Sequence, residues 1–523
     1  MGSKDGRHLR LVAERLDMTT PRHRFVILGG GTAGWMAACL LAKHWPQHQI
    51  TVIESPDIGI IGVGEGSTPQ FKAFFDTLGL SEAEWMPCCN ATYKAGIRFD
   101  GWSERPGFEH YFHPFQTQLD AFTEPQFAFH TRARRTGRDV WAHPDRFFLP
   151  AKLAANRLAP ITSDNFPFEI SYGYHFDAVL VGQFLRDHAT GKLNVIHLSR
   201  TVSDVVLCPD GHIEALNTDD GERIEGDFFL DCSGFRGVLI QKALAEPFKP
   251  FAENLFNDRA VAMPTPNDEG GIRSETRATA LSAGWAWKIP LTNRSGNGYV
   301  YSSRYINADA AETELRAHLG LLDADVPARH LQMNVGRIER SWVKNCLALG
   351  LSQGFIEPLE ATALHIVQAT VEGFIDAYEK GGMTSEHANM FNETIGLRYE
   401  GIRDYIVAHY RMNQRSDSDY WRDNAANQNL SDNLKAVMTA WFTGTNLGEK
   451  IAELDIGRYY SSLSWHCLLA GYGTFPADDK MQPAEADLAI TDMAKIDDFI
   501  RQCASNFTSH NAHLGKLSPN LSL

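Results

Sequence analysis

The residues best suited to chemistry begin with a run of glycines. Gly29, Gly31 and Gly34 form G-x-G-x-x-G within GGGTAG (29–34). Glycines at this spacing permit a tight turn and close backbone approach to a pyrophosphate, which then faces the N-terminus of the following helix. Glu54 closes the next apolar run, QITVIES, where an acid can accept hydrogen bonds from ribose hydroxyls. Gly29, Gly30, Gly31, Thr32, Ala33, Gly34 and Glu54 therefore read as a dinucleotide cradle, for either NAD or FAD. Lys94, in NATYKAGIRF, is either a surface strand residue or a buried ammonium; if buried, its pKa falls and it needs a partner. Glu360, in EPLEATAL, is a suitable partner, and it equally suits a helix N-terminus, where carboxylates are favoured. GWAWKIP (284–290) puts Trp285, Trp287 and Ile289 on one face of an extended chain and Ala286 and Lys288 on the other. Two indoles on one strand face either fill a core or wall something off.

These residues need elements to hold them. Phe25 to Leu28 is a short buried strand, the glycines turn, a helix follows, and QITVIES is the second strand of a βαβ unit. Asp231 closes the apolar run FFLD ahead of a small-residue turn, and NCLALGLSQGF, with Leu351, repeats a strand–glycine-turn corner. The order of the three corners favours FAD over NAD. Beyond about residue 360 the pattern turns helical. Ile395, Tyr399, Ile402, Ile406 and His409 or Tyr410 recur at steps of three and four, and Ser431 caps a second amphipathic stretch.

The 523 residues carry a net charge of −15, which argues against a nucleic-acid partner. No apolar run is long enough to span a membrane. Residues 1–23 lack the apolar core of a signal peptide and are expected to form a flexible leader. The eight cysteines show no metal-ligand spacing, so no metal site is expected, and a reducing cytoplasm fits best.

With these motifs in one chain, the sequence resembles the flavin-dependent tryptophan halogenases. GGGTAGWMAA, GVGEGSTPQF, NATYKAGIRF, HFDAVLVGQFL, DCSGFRG, GWAWKIP, IEPLEAT and AGYG occur in the family's order, from residue 25 to about 475. The resemblance implies an α/β fold: a Rossmann-like FAD module of the flavin monooxygenase (hydroxylase) superfamily with a mostly helical C-terminal substrate module. The expected division is 24–375 for the FAD and halide module, which also supplies Lys94 and the substrate segment 110–115, and 376–523 for the substrate side. FADH2 delivered by a separate flavin reductase, together with O2, would oxidise bromide or chloride to hypohalous acid. That oxidant would travel to Lys94 and Glu360 and halogenate an indole-type ring by electrophilic substitution.

On the same resemblance Ser55, Ile61, Val63, Gly66, Asp231, Leu351 and Leu364 join the cofactor site. Thr362 and Ala363 hold the halide, and Trp285 and Trp287 screen substrate from flavin. His113 and Phe115 match the indole-stacking positions, with Tyr459 and Tyr460 as a further wall. Two departures matter. The chain reads Ala361-Thr362-Ala363 where relatives often carry Ser-Thr-Gly, and GEKIAELDIGRYYSSLSWHC is a poor match to the tyrosine-rich clamp for tryptophan's amino-acid end. The expected substrate is therefore indole or a larger indole-bearing molecule, and the expected assembly a monomer or homodimer. Rival readings are a flavin monooxygenase that hydroxylates an aromatic ring and a catalytically silent flavin-binding protein.

Overall fold

A computed structural model of the chain describes residues 22–59, 64–163, 165–483 and 493–517. The expected βαβ unit is present as β1 (Arg24–Leu28), α1 (Thr32–His44) and β2 (Gln49–Glu54). Helix α1 is apolar nearly all round, and its residues from Trp35 to Ala42 are buried, because further helices cover the side turned away from the sheet. β1 pairs in parallel with β2 on one side and with Phe228–Asp231 on the other. The six-stranded sheet runs Trp342–Val343, Cys346–Ala348, Phe228–Asp231, β1, β2, Ile196–Ser199. The three corners read from the sequence thus lie at the carboxyl ends of adjacent central strands, where open α/β sheets bind ligands.

Lys94 ends β3 (Thr92–Lys94), the edge of a three-stranded antiparallel sheet with Gly173–Phe176 and Glu65–Gly66. Two residues later the chain enters a seven-stranded sheet through Gly96–Asp100, which pairs with His110–Pro114. That sheet contains GWAWKIP as β4 (Gly284–Pro290). Alternation holds: Trp285, Trp287 and Ile289 join the main core, while Ala286 packs in a second cluster with Val261 and Tyr299.

The C-terminal part is helical as expected. α2 (Ala363–Lys380) starts beside the cradle, and α3 (Ala388–Arg411) buries Ile395, Tyr399, Ile402, Ile406, His409 and Tyr410. Ser431 caps Asp432–Phe442, its hydroxyl accepting from Leu434 N–H at 3.0 Å. One hydrophobic cluster runs from Phe25 through Trp285 and Tyr405 to Leu514, so the six-stranded sheet and the helices share a core. Among the described residues no helix is long and apolar enough to cross a membrane.

Candidate active site

The cradle is set by steric limits at its glycines. Gly29 has φ +118°, and a Cβ there would stand 2.2 Å from the Cys232 carbonyl oxygen; one at Gly34 would stand 2.0 Å from that of Gly29. Strand, turn and helix therefore meet at backbone contact. Gly31 differs: a Cβ there meets nothing within 4 Å, so it borders open space at the N-terminus of α1. The Glu54 carboxylate folds over Gly30, and its Oε2 is buried without a hydrogen-bond partner, 3.2 Å from His197 Nε2. An open glycine edge, helix N–H groups and an acid oxygen without a hydrogen-bond donor fit the pyrophosphate and ribose of FAD.

The other expected cofactor residues vary in placement. Thr32 donates its hydroxyl hydrogen to Ala178 O, and Ser55 shares a hydrogen bond with Thr201. A Cβ at Gly350 would stand 3.0 Å from the Ala33 methyl, which places the Leu351 turn against the cradle. Leu364 is buried in the first turn of α2. The Asp231 carboxylate is consumed within its own loop, accepting from the N–H groups of Ser233, Leu239 and Ile240 and from the Ser233 hydroxyl. It shapes the corner and presents no free oxygen. Gly66 pairs with His175, and a Cβ there would stand 3.2 Å from Lys94 Nζ, so it borders the lysine. Ile61 and Val63 lie outside the described residues.

Lys94 is buried, not a surface residue, and its Nζ has no hydrogen-bond partner. Burial pulls its ammonium down to about 7, against an opposing pull from Glu360. The Phe115 ring, 5.2 Å from Nζ, offers it a π face, and Phe115 N–H bonds Ala95 O beside it. His175 bridges the Thr92 and Thr276 hydroxyls at 3.1 and 2.9 Å; burial first, then Lys94, keeps its ring neutral.

Glu360 is also buried, but its direct partners are imidazoles. His113 Nδ1 lies 3.0 Å from Oε1, and His409 Nε2 lies 2.9 Å from the same oxygen. Burial alone would raise this carboxyl; His113 and then His409 outweigh it and hold the group at about 2. The sequence expectation that Glu360 directly partners Lys94 is therefore met only through space, and His113 serves the carboxylate. Tyr405, 6.0 Å from the His113 ring, stacks on Tyr460 at 3.6 Å, and Tyr459 and Tyr460 line a small open pocket with Trp465 and Asp404.

Between Glu360 and α2 the backbone is strained. Ala361 has φ +57°, a left-handed conformation that costs a non-glycine residue on the order of 1 kcal/mol. The kink lets Glu360 turn toward the histidines while Thr362 and Ala363 open the helix. No side chain caps that helix and no acid sits in its first turn, so its N–H groups suit an anion.

The fold brings Lys94, Glu360, His113 and Phe115 into one neighbourhood, with Tyr460 joined to it through Tyr405. Sequence reasoning missed His409, Glu357 and Tyr410. The available signal was a histidine on the apolar stripe of α3, but its partner lies on another element.

A family model described as tryptophan halogenase matches residues 24–487. The chain is 37% identical over 527 residues to a 7-chloro-L-tryptophan 6-halogenase of Kutzneria sp. (strain 744), covering 94% of this chain and 99% of that one. A flavin-dependent halogenase from Brevundimonas sp. BAL3 has a similar solved structure, with TM-score 0.81 and 32% identity over 95% of this chain and 99% of that one. A lanthipeptide tryptophan 5-halogenase matches with TM-score 0.81 and 26% identity, over 96% and 95% respectively.

Proposed function

The chain belongs to the tryptophan halogenase family, and from that premise we propose that it halogenates an indole-type substrate with bromide or chloride, using FADH2 and O2. The observation that carries this reading is the buried, unpartnered amine of Lys94 in the electrostatic reach of Glu360. FAD, bound at Gly29–Gly34 and Glu54 and reduced by a separate reductase, would supply the O2 activation that turns halide into hypohalous acid. The helix N–H groups at Thr362 and Ala363 hold the halide. Trp285 and Trp287 keep the arene from the cofactor, so only a small oxidant reaches Lys94.

Lys94 receives that oxidant, donating a hydrogen bond to it when protonated and bonding to its halogen when neutral. With burial holding the group at about 7, both forms are populated near neutral pH. A ring carbon then bonds the halogen as the halogen–oxygen bond breaks, the oxygen leaves as water with a proton from the Lys94 ammonium, and Glu360 accepts the ring proton. Held at about 2, Glu360 is a weak base, which suffices because the cationic ring intermediate is a strong acid. His113, Phe115, Tyr459 and Tyr460 form the indole site. The poor match to a tryptophan clamp favours indole or a larger indole-bearing molecule, and the likeness to a lanthipeptide halogenase extends that class to peptide-linked indoles. A cytoplasmic location suits the free cysteines.

The test is product mass spectrometry on a panel of indoles with both halides, FAD and a reductase. Halogenated indoles, with kcat/KM for indole above that for tryptophan, are expected. Hydroxylated products, or none, overturn the reading.

A further inference from the structure

EPLE carries two glutamates, and the first is as buried as the second. Glu357 is fully buried, with no cation beside it, and its Oε2 accepts three hydrogen bonds. Tyr410 O–H donates at 2.6 Å, Asn257 Nδ2 at 2.8 Å and Trp285 Nε1 at 3.0 Å. Asn257 is itself oriented by the Tyr420 hydroxyl at 2.9 Å. The other oxygen, Oε1, is buried with no partner. Burial raises this carboxyl, and the three donors only partly offset that. An apolar residue of similar volume would pack here at lower desolvation cost. What an apolar residue cannot do is fix the direction of an indole N–H.

The two tryptophans of β4 are thus seated by different means. Trp287 has a buried, unpartnered Nε1 and rests over Gly298, where a Cβ would stand 2.1 Å from its ring. Trp285 is anchored through its nitrogen. The anchor's strongest donor, Tyr410, is the neighbour of His409 on α3, so consecutive residues of one helix hold both glutamates of EPLE.

We infer that Glu357 is a positioning residue for the screen: it locks the Trp285 indole across the path from cofactor to substrate, and α3 holds Glu357 through Tyr410. The inference rests on the reading of Trp285 and Trp287 as a screen.

The test measures the ratio of halogenated indole to hydrogen peroxide at saturating reductase. Glu357→Gln keeps an acceptor oxygen and should stay within about twofold of wild type, while Glu357→Met should raise the peroxide share at least about threefold with FAD affinity unchanged. Trp285→Phe, which removes the indole N–H together with the fused ring, should behave like Glu357→Met and decides the matter if that variant does not fold. A wild-type ratio in folded Glu357→Met, or in Trp285→Phe if the Met variant fails to fold, overturns the inference. Trp285→Ala separates the two readings. If it raises peroxide while the other variants do not, only the positioning role falls; if it changes nothing, the screen falls with it.

Discussion

His113 Nδ1 lies 3.0 Å from one carboxylate oxygen of Glu360 and 3.1 Å from the other, so the residue expected to stack on an indole binds the acid. His409 closes the arrangement from α3 at 2.9 Å. Two imidazoles keep Glu360 ionised despite burial, and its hydrogen-bonding demand is met without Lys94. The lysine keeps a free nitrogen within the acid's field. A direct ion pair would have raised the Lys94 pKa and occupied the atom proposed to meet the oxidant.

Removing His409 should expose the effect of burial on Glu360. A carboxyl held at about 2 stays ionised across the working range, so Glu360 contributes no acid limb to wild-type kcat above pH 4. In His409→Phe the burial penalty regains ground and the pKa rises. The ratio of variant to wild-type kcat should therefore fall toward low pH, with KM for indole little changed. His409→Gln, which can still donate to Glu360, should flatten the ratio. A pH-independent ratio would assign His409 a packing role alone.

What could be read from the sequence was local. The strand–glycine turn–helix unit, the alternation in GWAWKIP and the Ser431 cap each depend on spacing within a few residues, and each stands in the structure. Glu360 was legible as a motif position, but its partners were not: His113 is 247 residues away and His409 sits on a separate helix. Stacking was the expectation for His113 because an aromatic ring fits that role in any environment. Only the register of His110–Pro114 against Gly96–Asp100, two residues past Lys94, turns it toward the acid. Asp231 misled for a related reason: an acid at a strand end reads as a ligand, while its oxygens are taken up by the N–H groups of its own loop.

Lys94→Met should abolish halogenation, retain FAD binding and stabilise the fold in a pH-dependent way. The folded pKa of about 7 lies below the unfolded value near 10.5. Between these values the unfolded chain holds a proton that the folded one does not, so wild-type stability from this group rises with pH through that window. Below pH 7 the folded protein carries the full cost of burying the charge. Denaturant unfolding should show the variant's advantage over wild type shrinking by about 4 kcal/mol between pH 6 and pH 10. A constant advantage would mean that Lys94 titrates normally, and appreciable product from the variant would remove it from the chemistry.

Two glycines of the cradle should separate folding from cofactor binding. Gly31 has φ −72° and open space around its Cβ position, so Gly31→Ala should cost less than about 1 kcal/mol. The methyl would nonetheless intrude where a pyrophosphate approaches, and FAD affinity should drop by about tenfold or more. Gly34→Ala drives a methyl into the Gly29 carbonyl and should lower both stability and affinity. Thermal melts without flavin and flavin-quenching titrations check the pair. Unchanged affinity in Gly31→Ala would move the pyrophosphate elsewhere.

Gly298 offers a way to disturb Trp287 without touching Lys94 or Glu360. Trp287 and Gly298 are register partners on adjacent antiparallel strands, and the indole lies across the glycine. A methyl at Gly298 would stand 2.1 Å from the ring carbons, so the ring must swing off the strand, while the backbone at Gly298 is not left-handed and is unstrained. Gly298→Ala should cost roughly 1–3 kcal/mol by overpacking, and Trp287→Ala roughly 3–5 kcal/mol by leaving a cavity. Both should divert reducing equivalents from halogenated indole to hydrogen peroxide. The double variant decides whether they act through the same ring. With Trp287 already removed, the added methyl has nothing to displace, so the peroxide share should match that of Trp287→Ala alone. A further rise in the double variant would show that Gly298→Ala works through the sheet and not through the screen.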